Sequence, residues 1–195
     1  MDNFEIENVL RTMSIVVDNR EQPGDRADKR YRSFGVPYNR ATLNYGDYTY
    51  NAVLPNGQPI YDLSKTIYPK VIVERKMSLE ELSGCFTGKT DIECKKLGVR
   101  NRFDKELFRA ADNKCKIYLL VEDATYEKIL NHRYSTGLNP KSFISTLFAR
   151  VSRYDVTPIF VQHELSGRLI YEILYRELKE RLENGEYDEY AETDI

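Results

Sequence analysis

The sequence predicts an α/β fold, a sheet with helices on both faces. Three observations carry that expectation. "KIYLLVE" (116–122) is a near-continuous apolar run of the kind buried on both faces of a sheet. "VTPIFV" (156–161) reads as a further strand. After residue 70, extended segments alternate with helical ones.

In chain order, "SIVVD" (14–18) predicts a strand that runs into an acidic residue. "DRADKRYRSFG" (25–35) predicts a short helix stopped by Gly35. Residues 37–54, rich in β-branched residues and tyrosine, predict extended chain, and "PNGQ" (55–58) is a hairpin turn signal. Residues 59–69 carry no defined pattern. "KVIVERK" (70–76) is the next strand. Ser78 with Glu81 fits a capping box and opens a helix over 78–87. A longer helical pattern spans 91–113, with Leu97, Phe103, Leu107, Phe108 and Ala111 at apolar positions and Gly98 as an interruption point. Beyond the strand at 116–122 come a helix at 124–131 and another at 140–153, which puts Phe143, Leu147 and Val151 on one face. The strand at 156–161 is followed by a long amphipathic helix at 164–183.

At 195 residues, 41% hydrophobic and 31% charged, the chain suits one domain with a core and a soluble surface. The boundaries expected are a folded domain over 1–182 and an acidic, mobile tail over 183–195. The tail carries six acids and no Lys or Arg, and without it 29 bases face 25 acids, a balance of +4. Such a body can meet a polyanion. No apolar run is long enough to span a membrane and no export signal opens the chain, so a cytoplasmic location, associated with the nucleoid or nucleus, is expected. Cys85, Cys94 and Cys115 match no zinc spacing, and His132 and His163 are far apart, which argues against histidine-based metal or triad chemistry.

The strand at 70–76 poses the functional question, because it runs straight into Glu74, Arg75 and Lys76 with no turn between. Charges are rarely buried unless paired or bound to a metal. Two further acidic sites sit beside strands, "VVDNRE" with Asp18, Arg20 and Glu21, and "YGDY" with Asp47. Glu74 and Lys76, two apart on an extended chain, share a face. A carboxylate from a neighbouring strand beside Glu74 gives oxygen ligands for a hard divalent cation, and the adjacent Lys can serve a water or a phosphate. Each motif alone is common as a surface ion pair or a turn. Their joint occurrence beside three strands points to metal-assisted phosphodiester chemistry.

Together, "VVDNRE", "GDY" and "VERK" resemble the nuclease domain of the XPF-type structure-specific endonucleases, within the PD-(D/E)xK superfamily. The resemblance runs from about Ile15 to about Leu178 and takes in "IYLLVED" and "FVQHELSGRLIYEIL". It implies a restriction-endonuclease-like fold, a central mixed sheet flanked by helices. It implies that Asp47, Glu74 and the Arg75 carbonyl bind Mg²⁺, with Mn²⁺ as a substitute. Lys76 would serve the attacking water, and Asp18, Arg20 and Glu21 would join the same catalytic cluster. Glu80 stands where the family has Asp, Glu106 replaces a usual Gln, and the spacer between Tyr48 and Glu74 is longer than the family's short hairpin. The tandem helix-hairpin-helix module is not in this sequence, so a separate DNA-binding partner is an expectation. So is a homodimer, built through residues 140–182. Lys89, Lys95, Lys96, Arg100 and Arg102 are the candidate DNA contacts; the other reading of this segment is a solvated face laced with Asp91, Glu93, Asp104 and Glu106. The leading function is a metal-dependent endonuclease at branched or flap DNA. The alternatives are a nuclease-fold scaffold without turnover, and an enzyme acting on plain duplex or single-stranded DNA.

Overall fold

Six strands and eight α-helices fill residues 1–190, the part of the chain that the computed structural model describes. In order they are α1 (Asn3–Arg11), β1 (Ser14–Asp18), α2 (Asp25–Arg32), β2 (Tyr38–Ala41), β3 (Tyr48–Asn51), β4 (Val71–Lys76) and α3 (Leu79–Thr87). Then follow α4 (Ile92–Leu97), α5 (Arg102–Asp112), β5 (Lys116–Glu122), α6 (Tyr126–Leu130), α7 (Pro140–Tyr154), β6 (Val156–Val161) and α8 (Ser166–Glu183). The strands form one mixed sheet in the order β2-β1-β3-β4-β5-β6. β1 pairs parallel with β2 and antiparallel with β3, and β5 pairs parallel with β6. The α/β class expected from the alternation is the class observed.

The chain forms two compact units. The first is Met1–Val71 with the segment from Gly167. Its centre is β1, where Ile15, Val16 and Val17 are fully buried. α8 closes this unit with Ile170, Leu174, Leu178 and Leu182, a stripe at every fourth position that is buried along its whole length. Gly167 lets α8 start directly against the end of α2: a Cβ there would strike Ser33 Oγ and the Arg30 carbonyl oxygen. Residues 59–69 lack periodicity yet are packed, with Ile67 in a cluster with Val16, Ala41 and Leu43, flanked by Tyr61 and Leu63. The Asn51 side chain pins this stretch, accepting from Tyr61 N–H and donating to its carbonyl, both at 3.0 Å.

The stretch 37–54, expected to be extended, holds two strands separated by a turn, and α1 was not foreseen, although Asp2 and Glu5 form a reciprocal capping box that starts it. α8 runs on to Glu183, Tyr187 is only 4% exposed with its hydroxyl 3.2 Å from that of Tyr50, and Arg181 Nη1 donates to Glu186 at 2.6 Å. An aromatic ring and an ion pair hold residues that charge alone marked as tail. Residues 191–195 of that expected tail lie outside the described residues.

The second unit, Ile72–Ser166, is built on β5 and β6. Their register pairs Ile117 with Val156 and Glu122 with Val161. The helical pattern at 91–113 resolves into α4 and α5, because Gly98 caps α4 in the left-handed region (φ 67°) and turns the chain. Beneath α5, Asp104 and Arg150 form a buried ion pair, 0% and 3% exposed, with Nε 2.8 Å from Oδ1. The guanidinium carbon stands 4.5 Å from the Phe86 ring centroid, and Nη1 donates to the Thr146 carbonyl at 3.0 Å.

Removing one member of such a pair leaves the other charge buried. Asp104→Ala is expected to lower unfolding free energy by about 3–5 kcal/mol in urea titrations, while a double Asp104→Leu, Arg150→Met variant recovers most of the loss. Equal stability of wild type and Asp104→Ala would show that the pair holds nothing.

Candidate active site

In the first unit, β1 ends on Asp18, and every one of its contacts is local to that end. Oδ1 accepts from the Arg20 backbone N–H at 2.8 Å and from Arg20 Nε at 2.6 Å, and Oδ2 accepts from the buried Leu43 N–H at 2.7 Å. The carboxylate therefore ties the chain after β1 to the chain after β2. Glu21 faces inward, where its Oε1 accepts from Tyr48 Oη at 2.6 Å and lies 3.6 Å from Nη1 of Arg30. Arg30 comes from α2 and is 5% exposed. Arg40 caps the carbonyls of Asp18, Asn19 and Glu21 at 3.2, 3.1 and 2.7 Å. Asp47 precedes β3, and its carbonyl accepts from Asp18 N–H at 2.8 Å. Gly46 before it is left-handed (φ 77°), which is why a glycine stands at that place. Asp18, Arg20, Glu21 and Asp47 thus gather at one end of the β1–β3 pair.

In the second unit, β4 carries the charged run. Glu74 and Lys76 are 3% and 7% exposed, and Lys76 Nζ donates to Glu74 Oε1. The Phe103 ring lies 5.1 Å from the same Nζ, a cation–π contact that restricts where the ammonium can go. Arg75, the residue between them, donates from Nη1 to Glu122 Oε2 at 3.3 Å. Glu122 ends β5 and is buried; it was not among the expected site residues.

Glu80 and Glu81 divide in role. Glu81 accepts from Met77 N–H at 2.6 Å, and Ser78 Oγ accepts from Glu81 N–H at 3.3 Å, so together they cap α3. Glu80 Oε1 accepts from Ser135 N–H at 3.1 Å. Burial pushes the Glu80 carboxyl up, but hydrogen bonds from Ser78 and from backbone N–H groups outweigh it and hold the group below the ordinary glutamate range. Glu80 is thus engaged in tying α3 to the loop before α7. Burial raises the Cys85 thiol above its usual range, against the pull of Lys76, in keeping with an inert cysteine.

The basic segment is decided by what its acids do. Asp91 caps α4 through Cys94 N–H at 2.7 Å and lies 3.6 Å from Lys105. Glu93 accepts from Lys105 at 2.6 Å, and Asp104 is spent on Arg150. Lys89, Lys95, Lys96, Arg100 and Arg102 are all exposed, and among the described residues none of their side chains is in an ion pair. Three of the four carboxylates expected to lace this face, Asp91, Glu93 and Asp104, are committed to a helix cap, to Lys105 and to Arg150.

One cluster ran against expectation. His163 Nδ1 is 3.0 Å from Asp123 Oδ2 and its Nε2 is 3.1 Å from Glu164 Oε1, so one donor atom from each of the three residues falls within 4.8 Å of the others. Forty residues separate Asp123 from His163, but the parallel register of β5 and β6 brings their strand ends side by side. The sequence signal was the position of these residues just past two strands, Asp123 directly after β5 and His163 two residues after β6.

Residues 17–173 match the model of the ERCC4 domain. No match was found among curated proteins. Among solved structures, XPF from Aeropyrum pernix is similar over 89% of this chain and 69% of its own, at 18% identity and a TM-score of 0.55. XPF from Aeropyrum pernix in complex with DNA is similar over 86% of this chain and 65% of its own, at 19% identity and a TM-score of 0.52. At that identity the likeness shows the fold, an α/β restriction-endonuclease-like mixed sheet flanked by helices.

The contacts of Asp18 make a testable distinction. Asp18→Ala leaves the buried Leu43 N–H without its acceptor, so unfolding free energy is expected to fall by about 1–3 kcal/mol in thermal or urea melts. A residue serving only as a cation ligand would instead leave stability unchanged or raise it, since a carboxylate repelled by its neighbours has been removed.

Proposed function

The chain belongs to the ERCC4 domain family, and from that premise we propose that it is a divalent-metal-dependent endonuclease that hydrolyses DNA phosphodiesters at branched or flapped structures. One observation carries the reading: β4 delivers Glu74 and Lys76 side by side into the interior, each the other's partner, at the end of a fully buried strand. A carboxylate and an ammonium kept out of water in contact have little structural purpose that apolar residues would not serve as well.

The donors in each unit suit a hard cation. The Asp47 carboxylate in the first, and the Glu74 carboxylate with the Arg75 carbonyl in the second, offer oxygen only, as Mg²⁺ or Mn²⁺ requires. When bound, the metal supplies Lewis-acid polarisation of the phosphoryl oxygen and a more acidic water. Lys76 donates from Nζ to that water or to a phosphate oxygen, and Phe103 limits its range. Arg75 is oriented by Glu122, which keeps its side chain out of the way of its own carbonyl. Glu21, held by Tyr48 and Arg30, stands with Asp18 and Asp47 in the first unit. A solved relative of this fold carries DNA, and the five uncompensated bases between Lys89 and Arg102 suit phosphate contacts here.

The proposal includes a homodimer. On α8, Leu169 and Ile173 stay partly exposed after the buried stripe is spent, and Tyr171 and Tyr175 stack beside them with centroids 5.6 Å apart. A twofold contact would cover the same patch on each copy.

Two measurements test this reading. With Mg²⁺ and a panel of labelled flaps, forks, duplexes and single strands, Glu74→Gln, Asp47→Asn and Lys76→Ala should each cut cleavage by a factor on the order of 100 or more. Glu80→Ala should lose far less, and DNA binding should survive in all four. Full cleavage by Glu74→Gln would end the metal assignment. Light scattering at micromolar concentration should give two chain masses for the wild type and one for Ile173→Glu. A wild type already at one chain mass would remove the dimer.

A further inference from the structure

A cleft of about 430 Å³ opens where the turn after α4, the outer side of α5 and the end of α7 meet, all within the second unit. That volume is in the range of small-ligand pockets, ~300–1,000 Å³. Its floor is apolar and aromatic, with Leu97, Phe108 and Tyr154. Its rim is charged in a particular way. Arg100 and Arg153 both line it and both are exposed; among the described residues neither guanidinium is in an ion pair, and that of Arg153 lies 5.7 Å from the Tyr154 ring centroid. Burial pulls the nearby Arg150 below its ordinary range, with Arg100 and Arg153 adding to the effect as like charges; Asp104 opposes it and pairs with Arg150, leaving the other two uncompensated. The rim has one carboxylate, Asp112, also without an ion pair among the described residues.

A partly exposed aromatic side chain in a cleft that also holds two guanidinium groups outside any ion pair suits a ligand with a flat ring and neighbouring anions. A strand of nucleic acid has that composition at every residue, and stacking on aromatic side chains is how unpaired bases are held. Arg100 also belongs to the uncompensated basic segment from Lys89 to Arg102, so the cleft adjoins a surface already suited to phosphates. We propose that this cleft is a nucleobase pocket: one unpaired base of a DNA strand enters against Phe108, Arg100 and Arg153 hold the phosphates beside it, and Asp112 accepts a hydrogen bond from the base. The carboxylate favours bases with an exocyclic amino group, so cytosine and adenine are taken over thymine. The proposal rests on reading the chain as a DNA-acting nuclease. It gives that reading a means of telling an unpaired strand from a duplex, since a base inside a duplex cannot enter.

The test measures fluorescence anisotropy of the whole chain, without divalent metal and at about 50 mM salt, where phosphate contacts are strong. The probes are labelled oligo-dC, oligo-dT and a fully abasic strand, each of about twelve nucleotides. Oligo-dC should bind about tenfold tighter than the abasic strand. Phe108→Ala should erase that margin and leave abasic binding unchanged. Asp112→Ala should erase the preference for dC over dT. Arg153→Ala, a surface change that does not touch the core, should weaken the dC and abasic strands alike. Equal binding of dC and abasic strands by the wild type, with affinity for both, overturns the pocket and leaves the nuclease reading standing. Absence of binding to any strand or flap overturns both. Binding of an acidic, leucine-containing peptide that is lost in Phe108→Ala, with no margin for bases, overturns the proposal in favour of protein docking.

Discussion

The arrangement around β4 follows from a strand whose charges begin before it leaves the interior. Val71, Ile72 and Val73 are fully buried, and Glu74 and Lys76 are hardly less so. A buried charge without a counter-charge costs several kcal/mol, so each of the three charged residues must be answered from close by. Glu74 and Lys76 answer one another along the strand. Arg75, pointing to the other face, is answered by Glu122 at the end of β5. Phe103 lies over Lys76, which fixes where α5 can run. Glu80 and Glu81, immediately downstream, are diverted into a helix cap and a loop contact. The same constraint that shapes this unit leaves an acid and a base in contact, shielded from water, where an incoming cation and phosphate can use both.

A chain of net charge −2 presents basic surface by committing its acids locally. Asp91, Glu93 and Asp104 are consumed by a cap, by Lys105 and by Arg150. Counting residues along the segment suggests neutrality. The partnerships divide it into compensated pairs and a set of bases facing solvent alone. Long-range attraction of a polyanion depends on the second quantity, not the first.

Much of this was legible in the sequence, and the parts that were not share a cause. β4 and β5 read correctly because burial on both faces writes itself as an unbroken apolar run; β6 read correctly from its apolar residues although beyond Val156 it is only half-buried or exposed. The split of 91–113 at Gly98 was marked by the glycine itself. The Ser78 cap was marked by its spacing to Glu81. What escaped depends on partners distant in the chain. Tyr187 reads as part of an acidic tail until Tyr50 is placed beside it. Residues 59–69 look structureless because their order comes from Asn51 and from Leu43 rather than from their own periodicity. Glu21 gives no sign that Arg30 and Tyr48 hold it, and the Asp123–His163 contact exists only in the register of two parallel strands. Local patterns report burial and capping well. They are silent on which buried group meets which.

The bare contact at Gly167 has a mechanical meaning. Between most packed helices, side chains act as springs that absorb small displacements by changing rotamer. Where α8 meets α2, no side chain intervenes on the α8 side, and the Arg30 carbonyl rests against the Gly167 backbone. The joint is stiff, and the residue on its far side is the one whose guanidinium steadies Glu21. A shift of α8 at this joint therefore has no side chain of its own to take it up, and α2, which carries Arg30, must move with it.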